Sequence, residues 1–150
     1  MIFSLKIIPK EIIKQENLVD QVVKEIKIQS FLNHSHIIKL YSVFDDKDNI
    51  YLLLELCSEG NLYQLMQKKL KVSEEEASTI LKSVCEAVGE LHHHQIVHRD
   101  IKPENIVMCY GMAKICDFGW STEVKDSMRE TFCGTPLYVS PELLSGQLYD

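Results

Sequence analysis

Residues 98–105 read His-Arg-Asp-Ile-Lys-Pro-Glu-Asn, and twelve residues beyond Asn105 the chain reads Asp117-Phe118-Gly119. Arg99, Asp100, Lys102 and Asp117 are charged, and Asn105 adds an amide oxygen. A cluster of this kind costs free energy when it is buried without partners. Something of opposite charge, or a metal ion, has to complete it. The chemistry open to it is the handling of a charged substrate by paired acids and cations, so the flanking elements must bring residues 100–105 and 117 together.

Those elements are legible as periodicities. "IVM" (106–108) and "MAKIC" (112–116) are short apolar runs about the Tyr110-Gly111 turn, and they predict a small hairpin with Asp100, Lys102, Asn105 and Asp117 at one end. Pro103 interrupts regular structure before it. Upstream, Ser73 and Glu76 form a capping box. Behind it Ala77, Ile80, Leu81, Val84, Val88 and Leu91 recur at helical spacing, predicting a core helix over 74–93. A shorter helix is expected over 62–69, and "SEGN" (58–61) marks a boundary between a strand-rich and a helix-rich part.

In the first part, residues 2–8 alternate. Phe3, Leu5 and Ile7 share one face of a strand, and Ser4, Lys6 and Ile8 share the other. Residues 16–32 read as one helix with Leu18, Val22, Ile26 and Leu32 on a stripe that also contains Glu25 and Gln29. A carboxylate on a buried stripe requires a cation. Lys6 is the nearest candidate in sequence, and a solvated Glu25 at the edge of the stripe is the other reading. Residues 37–44 and 50–56 read as two strands joined by "DDKDN". Residues 118–137 read as a loop, with Trp120 filling a gap beneath it, and 140–144 as the start of a helical turn.

Composition narrows the class. In 150 residues, 45% are hydrophobic and 25% charged, which supports a folded domain with a real core. A net charge of -6 argues against a general nucleic-acid or anionic-membrane surface. The five cysteines, at 57, 85, 109, 116 and 133, show no C-x-x-C spacing and read as reduced thiols of a cytoplasmic or nuclear protein. No apolar run approaches a membrane span. The histidine-rich "HHHQIVH" (92–98) has no acid or thiol at a spacing that would complete a metal site.

Four segments together carry a family resemblance. "HRDIKPEN" resembles the catalytic loop of eukaryotic protein kinases, "DFG" their metal-binding motif, "SPE" (140–142) the A-P-E motif, and "SLK" (4–6) the V-A-I-K motif of the third strand. "DFGWS" (117–121), "EIKIQSFLNH" (25–34) and "ETFCGTPLY" (130–138) are similar to the Aurora branch. Polo-like kinases share "CGTP" but not the Trp120-Ser121 pair. The resemblance implies an α+β, two-lobed protein-kinase fold and ATP-dependent transfer of a phosphoryl group to protein Ser or Thr, with ATP and Mg²⁺ as cofactors.

The resemblance also implies roles, residue by residue. Lys6 holds the α- and β-phosphates and Glu25 holds Lys6. Asp100 orients the substrate hydroxyl and takes its proton, while Lys102 offsets charge on the moving group. Asn105 and Asp117 give oxygens to Mg²⁺. Leu54 is the gatekeeper, Glu55 to Cys57 the hinge, Ser4 and Val107 the packing around adenine, and Glu104 an acid that reads basic residues near the target. Thr131 is the regulatory phosphosite, with Arg99 available to its phosphate. Cys133 is either a redox-sensitive or a packing thiol. The implied partners are ATP, Ser/Thr proteins and spindle or centromere scaffolds, with association to spindle, centrosome or chromosome.

No G-x-G-x-x-G precedes Lys6, so the expected domain is partial: residues 1–57 a partial small lobe and hinge, residues 58–150 a partial large lobe through the activation segment. Glu142 is then expected to be a carboxylate lacking its Arg, and the 74–93 helix to expose part of its apolar face. A catalytically silent, partner-binding fragment is the alternative that this expectation leaves.

Overall fold

The structure, a computed structural model, describes residues 2–69, 71–123 and 135–145. Strand β1 (Phe3–Pro9) runs into helix α1 (Lys10–Gln15) and then α2 (Val19–Phe31). Strands β2 (Leu40–Asp45) and β3 (Asn49–Glu55) complete a three-stranded antiparallel sheet in the order β1-β3-β2. Helices α3 (Leu62–Lys69) and α4 (Glu74–His93) follow. The short β4 (Ile96–Val97) pairs with β7 (Thr122–Glu123), and β5 (Ile106–Cys109) with β6 (Met112–Ile115). Helix α5 (Pro141–Leu144) is the last described element. None of the described helices is long and apolar enough to cross a membrane.

The helix expected over 16–32 forms as α2, starting at Val19, and a short helix that was not expected, α1, precedes it. Pro9 precedes α1, which buries Ile13, and the chain reverses at Asn17 with φ 53° before α2 begins. Asn tolerates the left-handed region better than most residues, which makes this break inexpensive. The strand expected over 37–44 starts late, at Leu40. Ile37 and Ile38 spend their backbone on the second sheet instead. Ile38 N–H donates to the Ile115 carbonyl at 2.9 Å, while Ile37, 1% exposed, enters the core. The short β4–β7 ladder, expected as loop, clamps the segment after Gly119.

β1 is turned opposite to what its hydrophobicity alone would choose. Leu5 and Ile7 face outward at 45% and 54% exposure, and the Ser4, Lys6, Ile8 face is the covered one. The reason is Lys6. Only that orientation lets its ammonium reach Glu25.

The core lies where α2, α4 and the β5–β6 hairpin meet. Ile28 and Leu32 of α2, Ala87 and Leu91 of α4, Ile37, Ile96, Ile115 and Phe118 form one cluster. Ile80, Ile106, Met108 and Ala113 form a second beneath α3 and α4. Helix α4 is capped as its sequence demands, with Ser73 Oγ accepting from Glu76 N–H at 3.2 Å. Its buried face is shifted from the expected one. Ser83 and Ala87 lie inside, whereas Ala77 and Leu81 are exposed, matching the expectation that part of this apolar face lacks cover. Trp120 is 44% exposed and does not fill a gap. Glu142 is also exposed, so the expected cost of a buried unpaired carboxylate does not arise.

Candidate active site

A cavity of about 360 Å³ lies between the three-stranded sheet and the β5–β6 hairpin. Ser4 and Lys6 of β1, Glu25 and Gln29 of α2, Leu54 to Cys57 at the end of β3, and Glu104, Asn105, Val107, Cys116 and Asp117 line it. The fold therefore brings together ten residues singled out in the sequence: Ser4, Lys6, Glu25, Leu54, Glu55, Cys57, Glu104, Asn105, Val107 and Asp117. Asp100 and Lys102 lie just outside the cavity wall, joined to it through Asn105. Thr131 and Cys133 fall outside the described residues.

The question left open at Glu25 is resolved by distance. Lys6 Nζ stands 2.5 Å from Glu25 Oε1 and 3.8 Å from Asp117 Oδ1. Glu25 is 6% exposed, so its charge is tolerable only because of that cation. Burial by itself would lower the Lys6 pKa. The carboxylates of Glu25 and Asp117 outweigh it and raise the pKa above its ordinary value, which keeps the ammonium charged.

Asp100 is the centre of a second network. It is 4% exposed and accepts from Asn105 Nδ2 at 2.8 Å, Lys102 Nζ at 2.8 Å and Thr135 Oγ1 at 2.7 Å. Lys102 also donates to Thr135 Oγ1 at 2.6 Å. Burial would raise the Asp100 pKa. The hydrogen bonds from Lys102, Thr135 and Asn105 win and hold the carboxyl below its usual range. Thr135 was not singled out in the sequence, although its motif was, because a lone Thr carries no sign of what its hydroxyl will bridge.

Two backbone positions keep this cluster in place. Arg99 and Asp117 adopt φ 67° and 63°, the left-handed region in which only a few non-glycine residues settle at low cost. At Arg99 the turn is held by Nε donating to the Trp120 carbonyl at 2.7 Å. At Asp117 it is held by the next residue, Phe118, which is 0% exposed in the core between α2 and α4. Phe118 thus ties the position of Asp117 to the helix that carries Glu25.

The donor set fits a hard divalent cation. Asn105 Nδ2 is committed to the Asp100 carbonyl at 2.9 Å and the Asp100 carboxylate at 2.8 Å, which leaves the amide oxygen turned away from them. Asp117 is half exposed on the same cavity. A carboxylate and an amide oxygen, with further oxygens from a phosphate, form the type of shell that magnesium accepts. The cavity-lining thiol Cys116 is not a competing soft ligand. Burial, then the charge of Asp117, pushes its pKa up to about 12, and sulfur is a poor match for a hard cation.

His98 buttresses the loop as a neutral ring. Asp100 N–H donates to Nδ1 at 3.3 Å, so the proton sits on Nε2, which faces the Cys116 carbonyl at 3.2 Å. Burial lowers its pKa, against the opposing pull of that carbonyl, Asp117 and Asp100. In the unfolded chain the imidazole charges below about pH 6.5, while the folded ring resists until lower pH. Folding stability is therefore expected to fall as pH drops through that window, with a slope of up to about 1.4 kcal/mol per pH unit from this group. Urea midpoints between pH 7 and pH 5 check this. A His98→Gln variant with the same pH dependence as the parent contradicts it.

A sheet on one side, a helical part on the other, and between them an acid-paired lysine, two oxygen donors and a buried acid-lysine pair make up the candidate site. The family model described as "Protein kinase domain" matches residues 1–150, and the chain belongs to that family. It is 39% identical over 150 residues to Aurora kinase B of Xenopus tropicalis, covering 99% of this chain and 42% of that protein. Aurora kinase of Schizosaccharomyces pombe is 42% identical over 147 residues, with 97% and 41% covered. Mouse Aurora kinase C is 38% identical over 150 residues, with 99% and 54% covered. The chain thus spans about two fifths to half the length of these relatives.

Proposed function

We propose that this chain carries the centre of an Aurora-like protein kinase, which transfers the γ-phosphoryl group of ATP to Ser or Thr hydroxyls of proteins. The observation that carries this reading is the convergence of two networks, Lys6–Glu25–Asp117 and Asp100–Lys102–Asn105, on the edge of one cavity. Lys6, kept charged, binds the inner phosphates, and Glu25 fixes where it points. Asn105 and Asp117 hold magnesium, which when bound neutralises charge on the phosphates. Asp100 stays ionised, orients the incoming hydroxyl and accepts its proton. Lys102 steadies the transferred group. Ser4, Leu54 and Val107 pack around the base, and residues 55–57 offer it backbone groups. The reading also takes residues 1–57 as part of the small lobe and residues 58–150 as part of the large one.

Glu104 adds a substrate preference. This role is carried by the Aurora likeness alone, and the Glu104 carboxylate would have to turn outward to meet a cationic side chain, because its Oε2 is buried without a hydrogen-bond partner among the described residues. The Aurora likeness supports Thr131 as an activating phosphosite, and spindle or centromere scaffolds as partners and sites of action. Calorimetric titration with ATP is expected to show uptake with Mg²⁺ present and at least about tenfold weaker uptake after chelation. Equal binding with and without magnesium would sink the assignment of Asn105 and Asp117.

A further inference from the structure

Lys114 is a cation where the pattern of β6 calls for an apolar residue. It lies between Ala113 and Ile115 and is 7% exposed. Its ammonium meets both oxygens of Glu55, at 2.9 and 3.0 Å. The same carboxylate accepts the Lys39 backbone N–H at 3.3 Å. Below it, Cys109 Sγ approaches the Leu56 carbonyl at 3.6 Å. A buried lysine, a strand end and a neighbouring loop therefore meet at one carboxylate.

The placement of the pair matters more than its strength. Glu55 ends β3 and opens the 55–57 stretch of the cavity wall, whereas Lys114 belongs to the hairpin on the other side. Lys114 is the register partner of Val107, and Cys116 follows two residues later on the same face of the chain. Both Val107 and Cys116 line the cavity. β3 and β6 belong to different sheets, so no ladder fixes their separation. Backbone bonds join the two parts at Ile38–Ile115, His36–Ile115 and Gly60–Met108, on either side of Glu55. Among the described residues, the pair is the tie of opposite charges in the interval between them, beside the contacts of Cys109 Sγ with the Leu56 carbonyl and of the Gly111 N–H with the Glu59 carboxylate.

A buried ion pair adds little net stability, because desolvation of both ions nearly cancels their attraction. Apolar residues of the same volume would fill the site as well. A two-pronged pair supplies something that apolar packing does not, a fixed direction and length. We propose that Lys114–Glu55 is a positioning pair, which holds the backbone of residues 55–57 at a set depth over the β5–β6 hairpin and so sets the affinity for the nucleotide base. This rests on the nucleotide reading above. Lys114 is not among the residues that line the cavity, and it acts through Glu55.

The test uses three variants of the full chain: Lys114→Met, Lys114→Arg, and Lys114→Met with Glu55→Gln. Lys114→Met strands a buried carboxylate and lowers the melting temperature, while the double variant removes that charge and regains most of it. Lys114→Arg keeps a two-pronged cation but adds bulk at a site that is 7% exposed, so it is expected to keep the parental exchange rates and Kd with some loss of melting temperature. In the double variant the backbone amide of residue 55, which donates to the Lys39 carbonyl at 2.9 Å, is expected to exchange about tenfold faster without nucleotide. Its Kd for magnesium-ATP is expected to rise about tenfold. Parental exchange rates or a parental Kd in the double variant overturn the proposal. If the parent takes up no nucleotide, the nucleotide reading fails instead, and the exchange arm still decides whether the pair positions the backbone.

Discussion

Replacing Asp100 with Asn is expected to lower phosphoryl transfer to a basic Ser/Thr peptide by about 10³-fold, with magnesium-ATP affinity almost unchanged. The substitution keeps size and most hydrogen-bonding shape, so the loop keeps its fold. What it removes is a charge held by three donors, Asn105, Lys102 and Thr135, at 2.7–2.8 Å. An amide cannot accept the hydroxyl proton, and one of its two arms donates where a carboxylate would accept. Lys102 loses its anion but is partly exposed and can turn to solvent, which limits the loss of stability. Single-turnover transfer rates measured beside calorimetric ATP binding check this. A variant that keeps parental turnover shows that Asp100 serves the fold alone.

The second large effect is expected at Asp117. Asp117→Asn should abolish magnesium-dependent transfer, a loss of at least about 10³-fold, at almost no cost in stability. The backbone explains the small cost. Asp117 sits at φ 63°, and Asn is among the few residues that tolerate that region as well as Asp does. Its side chain is half exposed, and its ion pair with Lys6 is the longer one at 3.8 Å, so little packing is lost. A neutral amide is a far weaker magnesium ligand than a carboxylate, and Asn105 alone cannot hold the ion. Thermal melting should be parental, while ATP uptake no longer responds to magnesium. Magnesium-dependent transfer that survives this change removes Asp117 from the metal site.

Local chemistry was readable wherever it depends on neighbours in sequence. The Ser73–Glu76 cap, the α4 helix and the β5–β6 hairpin formed as expected because each is specified by a few adjacent residues. Readings that assumed a continuous pattern failed where tertiary demands cut across it. The helix expected from residue 16 starts only at Val19, after the turn at Asn17, and Ile37 and Ile38 left their strand to join the hairpin and core. On α4 the apolar run continued through Leu81, yet the buried face runs through Ser83 and Ala87, because the core lies on that side.

The site divides along the same line. Residue types and spacing alone picked out Asp100, Lys102, Asn105 and Asp117, because motifs of charged residues within one hairpin are contiguous chemistry. They also raised the question of Glu25 without answering it, since a stripe at helical spacing does not say what faces it. Only the folded chain placed Lys6 2.5 Å from Glu25 across 19 positions, set Thr135 between Asp100 and Lys102, and put Lys114 beneath Glu55. These are contacts between segments far apart in sequence. Periodicity describes one element at a time, whereas the partners of a buried charge are chosen by how elements pack.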